Sequence, residues 1–141
     1  MDWRVELNGL LGTRTRATRA EQEEALFQAF LARVVLPAFT QVGEELAKYG
    51  RESIVRETSA AAIITVKNGD EEEISFRILR RSLPTAIVPY AEIRTRERKG
   101  LRIMKSETLF RDGTSPYGLD DVTTEDVIRV FLKCYRNAMD S

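Results

Sequence analysis

The chain has 141 residues, 43% hydrophobic and 31% charged, with 22 basic and 22 acidic side chains and no net charge. That is enough chain for one domain that buries a core without disulfide or metal staples, and too apolar for a disordered tail. It contains no histidine and one cysteine, Cys134, which excludes Ser-His-Asp and Cys-His catalysis, an internal disulfide and the commonest transition-metal ligand.

Residues 1 to 18 read as an arm. Trp3, Val5 and Leu7 alternate as in a strand, whereas Trp3, Leu7, Leu10 and Leu11 share a helical face. The segment lacks the basic start and apolar core of a signal peptide, and no run approaches the roughly 20 apolar residues of a membrane span. The expected place is the cytoplasm, with no membrane partner.

A single domain is expected over residues 19–141. From Arg19 to Tyr49 the apolar residues Phe27, Phe30, Leu31, Val34, Val35, Ala38, Phe39, Val42 and Leu46 recur at helical spacing. Acidic residues Glu21, Glu23 and Glu24 suit the first turns, and Gly50 stands where a helix stops. Pro37 falls midway and predicts a kink, or a corner between two helices.

Beyond Gly50 the period changes to 2. Residues 53–67 predict a strand, and Asn68-Gly69 a two-residue hairpin turn. That turn would pair Ile63 with Ile74, Ala61 with Phe76 and Ser59 with Ile78. It leaves Ala60, Ala62, Ile64 and Val66 on the outer face, more apolar than a water-facing strand needs, so either the N-terminal arm or a second chain should cover them. A third strand is expected over 86–98 and a fourth over 101–111, joined at Lys99-Gly100, with Ile87, Ala91, Ile93, Met104 and Phe110 on one face. Pro89 cannot donate to a ladder and implies an edge or a bulge. After the loop 112–121, Thr123 and Asp126 in "TTED" form a capping box with Asp in the usual Glu or Gln position, and Val127, Val130, Phe131, Cys134, Tyr135 and Ala138 make a helical face. The expected fold is α+β in the order α-β-β-β-β-α. A four-stranded antiparallel sheet carries a long, Pro-kinked N-terminal helix and a C-terminal helix on one face.

The charge is segregated. Residues 76–111 hold ten basic and three acidic side chains, which leaves twelve and nineteen elsewhere. Arg94, Arg96 and Arg98 fall on one face of the third strand with Tyr90, and Arg77 on the outer face of the second. Cations beside an aromatic suit a single-stranded nucleic acid. Against this, the pairing sets Glu92, Arg94, Lys105 and Glu107 in a square with opposite charges on its diagonals, and the pI lies near 6.4. The candidate interaction surface is therefore Arg77, Tyr90, Arg94, Arg96, Arg98 and Lys105, with Ile64 and Val66 as its apolar part.

Other motifs carry less. Asp120, Asp121, Glu125 and Asp126 lack the spacing of a calcium loop and suit a helix N-terminus. Glu97-Arg98-Lys99 matches E-x-K without an aspartate partner, Cys134 sits on an apolar helix face, and Gly9 and Gly12 make no phosphate loop. The expectation is a non-enzymatic binding protein without a cofactor, such as an adaptor, an immunity-type inhibitor or a chaperone, whose partner is a protein or a second copy. The alternatives are a nucleic-acid module using the arginine row, and an α+β domain that binds a small molecule between helices and sheet.

Overall fold

A computed structural model describes residues 2–96, 102–111 and 117–140, and of 13–17 only the backbone. Helix α1 (Trp3–Phe30) runs through a π-turn (Leu31–Val35) into α2 (Leu36–Ala47); strands β1 (Glu52–Glu57), β2 (Ala62–Asn68), β3 (Glu71–Ser82), β4 (Ile87–Arg96) and β5 (Ile103–Leu109) follow, then a 3-10 turn (Leu119–Asp121) and α3 (Thr124–Asp140). The strands form one antiparallel sheet in the order β1-β2-β3-β4-β5, each paired with its chain neighbour. The α+β class and antiparallel sheet are as expected; the strand count is five rather than four.

The fifth strand comes from splitting the segment 53–67. Thr58 folds the chain back: its hydroxyl accepts from the amides of Ala60 (3.2 Å) and Ala61 (3.0 Å), and its own amide donates to the Ala61 carbonyl (2.8 Å). A threonine turn of this kind competes with a strand ladder without any glycine or proline to announce it.

The arm of residues 1–18 belongs to α1, capped where the Asp2 carboxylate accepts from the Arg4 amide at 3.1 Å. Pro37, expected to kink the helix or turn a corner, follows a π-turn in which the Leu36 amide reaches back to the Leu31 carbonyl. The wider turn takes up the clash between the pyrrolidine ring and the preceding turn, and the chain stays helical on both sides. Gly50, at φ 77, ends α2 with the Arg51 amide closing onto the Leu46 carbonyl at 3.1 Å. The segment Thr18–Ala47 is long and apolar enough to cross a membrane by length and composition. Its apolar residues Phe27, Phe30, Leu31, Val35, Ala38 and Phe39 nonetheless lie buried against the sheet.

The β2–β3 hairpin forms, in a different register. The turn is Gly69-Asp70, with Asn68 paired to Glu71 and Gly69 at φ 64, so glycine takes the first central position. Glu73 is then an extra residue: Lys67 pairs with Glu72 and Val66 with Ile74. This bulge corrects the expected pairing to Val66–Ile74, Ile64–Phe76 and Ala62–Ile78. Moving the turn by one position preserves the buried face; the bulge inverts it. Ala62, Ile64 and Val66 thus enter the core, each fully buried.

The helices cover one face. Phe76 of β3 meets Phe39 of α2 edge-on, with ring centroids 6.1 Å apart, and Phe131 of α3 at 5.4 Å. Arg80 lies over the Phe27 ring at 5.4 Å, the Ser82 hydroxyl donates to Glu23 at 2.7 Å, and the Thr124 hydroxyl donates to the Val34 carbonyl at 3.0 Å. The capping box of α3 is as read: the Thr123 amide donates to Asp126 at 3.0 Å, and the Asp126 amide to the Thr123 hydroxyl at 3.2 Å.

Replacing Phe76 by alanine removes the side chain that both helices share, since Phe76 is fully buried. Urea unfolding should show a loss of about 3–5 kcal/mol; a loss under about 1 kcal/mol would contradict this packing.

Candidate interaction surface

With α2 and α3 on one side, the other face of the sheet has no covering layer among the described residues. Strand alternation and register bring Leu79, Tyr90 and Leu109 onto one rung across β3, β4 and β5. At about 4.8 Å between strands the rung is roughly 10 Å wide. Below it run Arg77, Glu92 and Glu107, and next Ser75, Arg94 and Lys105; above it Arg81 faces Val88. Arg81 stacks on the Tyr90 ring, 4.4 Å from its centroid, while its Nη2 binds Glu107 at 2.6 Å. The guanidinium thereby covers the aromatic and neutralises an acid of the next rung.

The expected square of Glu92, Arg94, Lys105 and Glu107 is present, with Glu92 opposite Glu107 and Arg94 opposite Lys105. Like charges face each other directly, so the electrostatics favour the diagonals. Pro89 lies one residue beyond the last β4–β5 pair, Tyr90–Leu109, where β4 is locally an edge. The Tyr117 hydroxyl donates to the Pro89 carbonyl at 2.8 Å and accepts the Phe110 amide at 3.2 Å, closing the end of β5 onto β4. Burial pushes the Tyr117 phenol upward from its ordinary pKa.

Of the sequence-predicted surface, Arg77, Tyr90, Arg94, Arg96 and Lys105 share this open face. Arg98 and the Lys99-Gly100 turn lie outside the described residues. Ile64 and Val66 are corrected: the bulge turns both into the core, fully buried, so they present nothing to a partner. Leu79, Arg81 and Leu109 were missed. The two-residue period puts Leu79 and Arg81 on the same face as Arg77, but Leu109 joins them only once β3, β4 and β5 are paired.

On the helix side, the bulge swings Glu73 toward α3. Its carboxylate accepts from Arg51 Nε (3.2 Å) and Nη2 (3.3 Å) and from the Tyr135 hydroxyl (2.6 Å). Burial alone would raise the Glu73 pKa, but the hydrogen bonds from Arg51 and Tyr135 prevail and hold it below the ordinary carboxylate value. Burial, together with donation to Glu73, pushes the Tyr135 phenol up to about 12. Beside Tyr135, a cleft of about 350 Å³ opens between α2 and α3, walled by Val42, Leu46, Tyr49, Ile128 and Leu132.

The acids near α3 have structural partners. Asp121 accepts the Gly118 amide at 2.8 Å, and Asp126 binds Arg111 at 3.2 Å and Arg129 besides its capping role. Among the described residues, no group of three acidic or cysteine side chains is placed to hold a metal ion. Burial raises the Cys134 thiol pKa, which disfavours the reactive thiolate.

Comparisons with protein-family models, curated proteins and solved structures find no match to this chain.

Glu73 and Asp126 both have lowered pKa values; for Asp126, burial raises and its bonds from Thr123, Arg111 and Arg129 lower. The stability they contribute is therefore complete above the ordinary values of 4.5 and 3.8 and is lost as pH falls through the lowered native ones. Urea midpoints should hold steady from neutrality down to about pH 5 and then decline. Glu73→Gln should flatten the acid decline; an unchanged slope would show that the Arg51–Glu73–Tyr135 cluster does not couple to folding.

Proposed function

We propose that this protein is a non-enzymatic binding domain that docks another protein on the open face of its sheet. The observation that supports the reading is the Leu79–Tyr90–Leu109 rung, an apolar centre three strands wide, bordered by Arg77, Arg81 and Arg94 and by Glu92 and Glu107. An apolar centre with an arginine-bearing rim of mixed charge is how protein interfaces are built, and tyrosine and arginine are the residues that contribute most there. The mixed rim disfavours a polyanion, since Arg81 is engaged by Glu107 and the arginines alternate with carboxylates.

The immobilised chain should capture a protein from cell extract, and Leu79→Glu/Leu109→Glu should lose it with a near-unchanged unfolding midpoint, as partly exposed strand positions tolerate substitution. A second arm measures single-stranded nucleic acid. Each phosphate contact gives a log–log salt slope of about −0.7, and the protein reading expects no such binding. Steep salt dependence abolished by Arg77→Glu/Arg94→Glu/Arg96→Glu, with capture untouched by the leucine changes, would replace this reading with the nucleic-acid one.

A further inference from the structure

The charge on the open sheet face is unevenly placed. On the β1–β2 side Lys67 stands opposite Glu52 on one flank and opposite Glu72 on the other, so unlike charges meet. On the β4–β5 side Arg94 stands opposite Lys105, with Arg96 two residues along the same strand. Like charges directly across a ladder lower stability. The diagonal carboxylates offset this only in part, because Glu107 turns to Arg81 at 2.6 Å. Among the described residues that is the one ion pair of this face. Arg77, Arg94, Arg96 and Lys105 are left with Glu92, four cations to one carboxylate. Arg77 and Arg94 are half-buried, so water screens them less than it would a fully exposed pair.

A local rule broken with no gain to folding marks a place that serves binding. A cation facing a cation beside an apolar rung calls for counter-charge from outside. Two kinds of anion fit that description. A nucleic acid needs an aromatic face open to a base, and the Arg81 guanidinium already lies over the Tyr90 ring, 4.4 Å from its centroid. A phosphate chain crossing the face would also pass Glu92 and Glu107, which form the rung between Tyr90 and Arg94. A protein meets neither objection, since its carboxylates are discrete and can be spaced to miss both acids. The strands set that spacing: Arg77 is one rung from Tyr90, and Arg94 and Lys105 are two, roughly 7 and 13 Å along the strand direction.

We propose, resting on the protein-docking reading above, that the partner presents an acidic surface to this face. A large apolar side chain sits on Leu79, Tyr90 and Leu109, and carboxylates roughly 7 to 13 Å from it reach Arg77, Arg94 and Lys105. The apolar seat contributes most of the affinity. The carboxylates relieve the like-charge pair, speed encounter and fix the partner's orientation on the sheet.

Selection of random phage-displayed peptides on the immobilised full chain tests this without assuming a partner. The recovered peptides should join a large apolar residue to Asp or Glu, and their affinity should fall as salt is raised. Lys105→Glu should weaken them about tenfold and yet raise the urea midpoint, because it turns a like-charge pair into an opposite one. The same peptides with Asp and Glu exchanged for Lys should prefer the Lys105→Glu variant to the wild type. Leu79→Glu/Leu109→Glu should release every selected peptide. Peptides with no acidic enrichment that still depend on the two leucines would overturn this inference and leave the docking face standing. Peptides indifferent to the leucine changes, or none recovered, would overturn both. Unchanged peptide affinity in Lys105→Glu would overturn the acidic reading. So would oligo(dT) that binds with steep salt dependence and displaces the peptides, which would assign the cations to nucleic acid.

Discussion

Because Glu73 is the extra residue of the β3 bulge, its bonds to Arg51 and Tyr135 govern which side of β2 is buried. Pairing carried straight on from the Gly69-Asp70 turn would set Ile63 and Thr65 opposite Phe76 and Ile74, and send Ala62, Ile64 and Val66 to solvent. One added residue exchanges the two sets. The exchange favours folding, since it replaces a buried threonine hydroxyl and a lysine-bearing strand face with three aliphatic side chains. A bulge interrupts the ladder and would bury a carboxylate alone. Arg51, just beyond the α2 stop, and Tyr135, on α3, supply the donors that make this tolerable. The cluster therefore ties the ends of both sheet-covering helices to the register of the central hairpin.

That register places Phe76 under both helices, and the remaining layers follow from it. Phe39 and Phe131 meet its ring edge-on, so α2 and α3 must lie side by side on one face. Side-by-side helices leave a cleft, and a sheet covered once leaves a second face. The π-turn belongs to the same requirement: Pro37 cannot continue an α-helical ladder, yet Leu31, Val34 and Val35 before it and Ala38 and Phe39 after it are all buried. Widening one turn accommodates the proline while both sets stay in the core.

Much of this was legible in the residues, and the failures have identifiable causes. Both helical stripes, the Gly50 stop and the Thr123–Asp126 box were readable because period and capping are local properties. The β4–β5 register was also readable, with Glu92 opposite Glu107 and Arg94 opposite Lys105, since no bulge intervenes in that ladder. The β2–β3 register was not. A bulge held by residues 22 and 62 positions away in sequence leaves no local signal, and the apparent surplus of outward apolar residues at Ile64 and Val66 was its consequence. The Thr58 turn was hidden for a related reason: a side chain does what glycine or proline usually does. For the interaction surface, the cationic half was visible and the apolar half was not, because Leu79 and Leu109 become neighbours only once three strands are paired.

The two surfaces left open by this architecture are compatible with each other. The α2–α3 cleft and the arm belong to the helical layer, the Leu79–Tyr90–Leu109 rung to the opposite side of the sheet, and the sheet itself separates them. Occupying one does not cover the other. The sheet edges are unsuited to the same work. β1 carries Glu52, Arg56 and Glu57, and β5 carries Lys105 and Glu107, charges that discourage strand addition by another chain. Under the proposed protein-binding reading, a partner would therefore meet a face rather than an edge. On a face, side chains rather than backbone amides would make the contact, and Tyr90 stands at the centre of that face, held between Leu79 and Leu109 under the Arg81 guanidinium.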